Sequence, residues 1–171
     1  MLSIIERYAN YIVPVLTVFA SYIVGRLQSR RDKDTAALKE AYEKLYVPFI
    51  RLLYTQKLCN LPFSALPTSD QMKIYNLFMD NLQYMDEKAL YTMQPFCYEF
   101  TFLVAQRSGA IEGRKFAAEN TDGIFNEAVQ QILNRAIVIA KKLHLPPIAK
   151  VVLDDYLESK ASREKALKEL K

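Results

Sequence analysis

His144 is the chain's one histidine, so a metal centre built on several imidazoles is excluded and any acid–base chemistry by imidazole must run through this side chain. It stands just before Pro146-Pro147, in what reads as the last turn of a helix. A histidine there serves the free carbonyls and the helix dipole more readily than it serves catalysis. A thiol nucleophile with His144 as base would need Cys59 or Cys97 beside it, and nothing in the spacing brings either one there. The two cysteines each fall in an apolar helical pattern without a CxxC spacing, which points to buried free thiols in a reducing compartment.

Asp154, Asp155 and Glu158 are the densest carboxylates, and Asp154 and Glu158 share a helix face. Two carboxylates without further ligands hold a divalent ion only weakly, and Lys150 is spaced to pair with Asp154, so this reads as a solvated face. The Glu-x-x-His pairs of a di-iron bundle are absent. Gly109 and Gly113, followed by Arg114-Lys115, superficially suggest a phosphate loop. Three residues rather than four separate the glycines, and Phe116 stands where Ser or Thr would be needed. No cofactor and no metal is implied, and an enzyme is disfavoured.

The elements that would position these residues begin with Tyr8 to Gly25, an uncharged run between Arg7 and Arg26. At about 1.5 Å per residue it covers roughly 27 Å, close to the roughly 30 Å of bilayer hydrocarbon. Leu2, Ile4 and Ile5 extend it, and Tyr8, Tyr11 and Tyr22 sit near its ends, as interfacial aromatics do. Arg26, Arg30, Arg31 and Lys33 follow at once, whereas only Arg7 precedes the run. The expectation is a single-pass transmembrane helix in the inner (cytoplasmic) membrane, N-terminus outside and the rest cytoplasmic. A cleavable export signal ending near Val18-Phe19-Ala20 is the competing reading, opposed by the basic flank and by Glu6. Thr17, Ser21 and Gly25 recur at steps of four, a spacing of small residues that lets two spans approach closely and form a homodimer. Pro14 either kinks this helix or marks its start.

After it the apolar residues repeat at helical spacing: Leu38, Tyr42, Leu45, Phe49 and Leu52, with a kink or short break expected at Pro48. Leu61 to Thr68 holds two prolines and reads as a loop. Thr68-Ser69-Asp70-Gln71 offers a capping box for a helix over 69–84 with Met72, Tyr75, Phe78, Met79 and Leu82 inward. Asp86 caps the next helix, whose face Leu90, Met93, Cys97, Phe100, Val104 continues across Pro95. The aromatic run PFCYEFTFLV could pass for a strand, but its flanks keep helical spacing. Asn120, Thr121 or Asp122 then caps a helix carrying Phe125, Val129, Ile132, Leu133, Ala136, Ala140 and Leu143. Ile148, Val151, Val152, Tyr156 and Leu157 form a last short helix, and the residues after it read as a frayed basic tail with Lys160, Arg163, Lys165 and Lys168.

The fold class expected is therefore all-α: a transmembrane helix followed by a cytoplasmic bundle of four or five helices. Its divisions are an anchor over 1–27, a basic juxtamembrane helix over 28–47, the bundle over 48–158 and the exposed basic tail over 159–171. The net charge of +4 and pI near 9.0 invite nucleic acid as a partner, but the positive excess lies in the two ends and the core is near neutral, so nucleic acid is disfavoured. A basic flank beside an anchor instead points to anionic headgroups and hence to the lipid bilayer as a partner. In layout the first third, with Tyr42-Glu43-Lys44-Leu45-Tyr46-Val47-Pro48-Phe49, resembles small bacterial and phage proteins that carry an N-terminal span and a basic turn. That resemblance implies the anchor, with no activity to carry over.

Three function classes remain: a non-enzymatic helical interaction or scaffold protein with an unknown protein partner, in a phage or host-defence setting; an anionic lipid or nucleic-acid binder using the basic flanks; and a membrane-associated enzyme. The first is favoured. Its expected surface is the 107–120 loop, through Arg107, Gly109, Ile111, Gly113, Arg114, Lys115 and Phe116, because Ile111 and Phe116 set apolar anchors beside charge. The basic tail is the alternative surface.

Overall fold

The computed structural model describes residues 24–26, 28–55, 61–110 and 117–169. The chain divides into two units, Met1–Leu38 and Lys39–Lys171. In the first, residues 24–26 and 28–38 are helical and nearly all exposed, including Arg26, Arg30, Arg31 and Lys33. The expected span lies outside the described residues except for Val24 and Gly25. No helix among the described residues is long and apolar enough to cross a membrane, and Val24 and Gly25 are exposed on a polar helix. The single-pass inner-membrane localisation is corrected accordingly.

The second unit is all-helical among its described residues, with five helices: α1 (Val47–Thr55), α2 (Thr68–Asp80), α3 (Glu87–Arg107), α4 (Ala117–Lys142) and α5 (Ile148–Glu169). Residues 39–41 lead into a π-helical turn, Tyr42–Tyr46, and from there into α1. No break occurs at Pro48, which lies inside α1; the irregularity is the π-helical turn before it. Val47 keeps helical angles (φ −65, ψ −47) and donates its N–H to Tyr42 O, one residue further back than an α-helix would. Pro48, which has no N–H to give, follows where the wide turn hands back to α. The extra residue absorbed by that turn rotates the buried face onward, so Leu53 is buried where Leu52 was expected, alongside Leu45, Phe49 and Ile50.

Asp86 caps α3 as its position suggests, its Oδ1 accepting from Ala89 N at 3.0 Å. The helix runs unbroken through Pro95. Its inward face is Ala89, Met93, Phe96, Phe100 and Leu103, turned from the expected one, so that Leu90 faces out and Cys97 is half-buried. The reason is packing, since Phe96 and Phe100 are claimed by the aromatic core. In α4 the expected face holds, with Phe125, Val129, Ile132, Leu133, Ala136 and Ala140 all buried. The helix starts at Ala117, however, so Asn120, Thr121 and Asp122 lie inside it and cap nothing. In α5 only Val152 and Tyr156 of the expected residues are buried, with Ala149 and Leu153. Packed against both α3 and α5, α4 is the central helix.

The core is organised by a residue that the loop reading left out. Phe63 sits on a single 3-10 turn, Phe63–Ala65, and is 2% exposed. Its ring centroid lies 4.4 Å from that of Phe125, 5.5 Å from Phe96 and 5.7 Å from Phe100. Phe96 in turn meets Phe78 at 5.8 Å, and Phe78 meets Phe49 at 5.1 Å. Offset and edge-on aromatic pairs of this kind add about 0.5–1.5 kcal/mol each beyond the area they bury. One turn between two prolines thus joins α1, α2, α3 and α4.

Candidate interaction site

The residues with chemical potential are dispersed. His144 is exposed and takes φ 55, the left-handed conformation. Its N–H reaches Lys141 O at 3.3 Å, and Leu145 N reaches Ala140 O at 2.9 Å. This is a Schellman close to α4 with histidine in the place usually held by glycine. His144 thus ends the helix through its main chain. Cys97 donates its thiol to Met79 Sδ at 3.6 Å, and burial pushes the thiol up from its ordinary range, which works against nucleophilic use. Asp154, Asp155 and Glu158 are exposed on α5, and among the described residues no group of three or more metal-type ligands gathers.

A polar cluster does form at one end of the bundle. Arg107, at the last position of α3, places Nη1 3.0 Å from Gln71 Oε1 and 3.3 Å from Leu66 O, while Nη2 donates to Ser64 O. Gln71 is fully buried, and its Nε2 donates to Phe63 O at 2.8 Å. The capping box expected at α2 is therefore not formed: Pro67 precedes the helix, no side chain caps it, and Gln71 supports the 63–66 turn instead. Asp122, one turn into α4, accepts from Ser64 N at 2.7 Å and Ser64 Oγ at 2.6 Å. Burial raises the Asp122 carboxyl above its ordinary value, opposed by the Ser64 hydrogen bonds and by the charges of Arg163 and Arg107.

The charges of one residue of the candidate loop and one of the basic tail act on this carboxylate. Arg107 begins the loop, and Arg163 belongs to the tail, which is no frayed extension: α5 stays helical to Glu169. Of the loop residues, Ile111, Gly113, Arg114, Lys115 and Phe116 lie outside the described residues. Arg107 has its guanidinium committed to the fold, and Gly109 takes φ 74, a conformation that glycine adopts without strain. Thr17 and Ser21 also lie outside the described residues, and Gly25 is exposed on a helix.

A second feature escaped the reading of the sequence. From Ala89 to Gln106 the only charged residue is Glu99, which is buried. The outer face of α3 therefore presents no charge over that length. It carries instead Tyr91, 73% exposed, and Tyr98, 56% exposed, with Leu90 at 42% beside them. Tyr98 packs on Phe102 with ring centroids 4.8 Å apart, and Tyr91, Tyr98 and Phe102 form one stripe at steps of seven and four. Beside this stripe α3 and α4 leave a cleft of about 290 Å³, lined by Lys88, Tyr91, Thr92, Pro95, Ile124, Glu127 and Gln131. The signal is present in the sequence as a charge-free helix face, on which Tyr91, Tyr98 and Phe102 fall outside the expected inward stripe.

No protein-family model, no curated protein and no solved structure matches the chain.

Proposed function

We propose that this chain is a non-enzymatic helical interaction protein that binds a protein partner through the outer face of α3. The observation behind this reading is the uncharged stripe of Tyr91, Tyr98 and Phe102, with two tyrosines more than half exposed on a helix whose other face is fully packed. Tyrosine supplies a large, stiff, amphipathic contact at low entropic cost, and binding hot spots draw on such residues. Contiguous apolar surface on an otherwise polar molecule marks interaction sites. This moves the interaction surface away from the loop, where Arg107 is occupied within the fold.

A photo-crosslinking side chain in place of Tyr98 in the full-length protein, activated in cells, tests the proposal. Discrete protein adducts that resist high salt and weaken on Tyr91→Ala would support it, because apolar contact is insensitive to screening. Absence of adducts at position 98, with adducts when the same group replaces Arg163, would refute it and move the surface to the polar end.

A further inference from the structure

Resting on that reading, the geometry points to a second copy of this chain as the occupant of the α3 face, in a twofold-symmetric pair with Tyr91 on the axis. The cleft carries one cation and one carboxylate, Lys88 from α3 and Glu127 from α4, both exposed, and neither is in an ion pair among the described residues. Their relative height follows from the register of the two antiparallel helices. Thr121 Oγ donates to Glu99 O at 3.3 Å, and Arg135 Nε lies 3.9 Å from Asp86 Oδ2. Carried along α4, this register sets Glu127 level with Met93 and Gln94. Lys88 then lies about 8 Å further along the α3 axis, at 1.5 Å per residue.

Midway between the two charges stands Tyr91, the most exposed large apolar side chain among those described. A twofold axis through that level, perpendicular to α3, sets Lys88 of one copy against Glu127 of the other, and the reverse on the opposite side. An isologous contact requires such self-complementarity: a residue i meeting j must be matched by j meeting i. Opposite charges placed about a central aromatic meet that condition, whereas a patch of one sign would repel its own copy. On the axis the two Tyr91 rings meet each other, while Pro95 and Ile124 beside them give each cleft an apolar floor, and Pro95 has no N–H for the Tyr91 carbonyl. From Ala89 to Gln106 the outer face of α3 is uncharged, so no like charges meet along that length of the antiparallel pair, and the exposed Glu87 lies beyond it beside Lys88. Fully buried aromatics contribute about 150–250 Å² each, so a contact built on so few sits at the small end of specific interfaces. The pair is expected to be concentration-dependent.

Sedimentation velocity of the purified full-length chain is the test, with the single reversals Lys88→Glu and Glu127→Lys and the two combined. The mass of the wild type should rise with concentration from one chain toward two. Each single reversal should weaken the pair about tenfold or more, and the combined reversal should restore it, because the ion pairs re-form with their signs exchanged. Tyr91→Ala should abolish pairing while leaving the circular dichroism spectrum unchanged, and the melting unchanged at dilutions where the wild type is a single chain, since the side chain is exposed in the monomer. A chain monomeric at every concentration, or a dimer indifferent to both reversals (as one formed through Thr17, Ser21 and Gly25 would be), overturns the inference. The crosslink at position 98 separates the two levels. An adduct of twice the chain mass supports the second copy. A salt-resistant adduct with another protein overturns the second copy while upholding the interaction reading, and no adduct overturns both.

Discussion

Replacing Phe63 by Ala removes the ring around which the second unit is packed, and the size of the effect follows from its surroundings. The side chain is 2% exposed and touches three phenylalanine rings from α3 and α4 at centroid distances of 4.4 to 5.7 Å. Truncating a buried phenylalanine costs about 3–5 kcal/mol, the transfer of the ring plus the cavity it leaves. Two features set where in that range the value falls. The residue lies on a 3-10 turn rather than in a helix, so the backbone has some freedom to close the void. Against this, Gln71, Arg107 and Asp122 hold that same turn through its carbonyls, the Ser64 N–H and the Ser64 hydroxyl, and restrict the collapse. The loss should therefore be about 4 kcal/mol. With a urea dependence of about 2 kcal/mol per molar for a unit of this size, the unfolding midpoint should drop by about 2 M. Urea titration followed by circular dichroism at a helical wavelength measures it, the chain having no tryptophan to report. Tyr91→Ala, at an exposed position, serves as the control and should stay within about 0.5 kcal/mol. A midpoint shift for Phe63→Ala no larger than that control would refute the assignment of the turn to the core.

His144→Gly should stabilise the protein. A left-handed residue with a Cβ is strained by about 1–2 kcal/mol, and the greater unfolded-state freedom of glycine returns about 0.5–1 kcal/mol of that, leaving a net gain of about 0.5–1 kcal/mol. A thermal melt should move up by a few degrees, and a lower melting temperature would speak against the helix close at φ 55. Asp122→Asn addresses the polar end. Because burial raises the folded-state value above the unfolded one, the folded protein holds this proton more tightly. The Asp122 contribution to stability is then fully present below the unfolded carboxylate range and fades as pH rises through the folded value. Melts across the acid range should show the wild type losing ground to Asp122→Asn as pH increases, and the opposite slope would mean that Arg107 and Arg163 outweigh desolvation.

By itself the sequence determined what depends on near neighbours. Helical spacing made an all-α fold legible, Asp86 marked the start of α3, and Pro146-Pro147 with His144 marked the end of α4. The inward face of α4 was also readable, because a central helix packed by α3 and α5 buries a broad, regular stripe. Only the tertiary structure decided which way the other helices turn. On α3 two overlapping apolar stripes share Met93 and Phe100, and Phe63, Phe78 and Phe125 select Phe96 over Leu90 and Cys97, leaving Tyr91 and Tyr98 outside. Gln71 had a local use as a capping-box residue and was diverted to a backbone carbonyl eight residues back and to an arginine thirty-six residues on. Local patterns fix period and ends through contacts within a turn or two. The choice between faces, and the joining of Ser64 to Arg107 and Asp122 at one end, depend on contacts between residues from 18 positions apart (Phe78 and Phe96) to 62 (Phe63 and Phe125), which no pattern of spacing along the chain encodes.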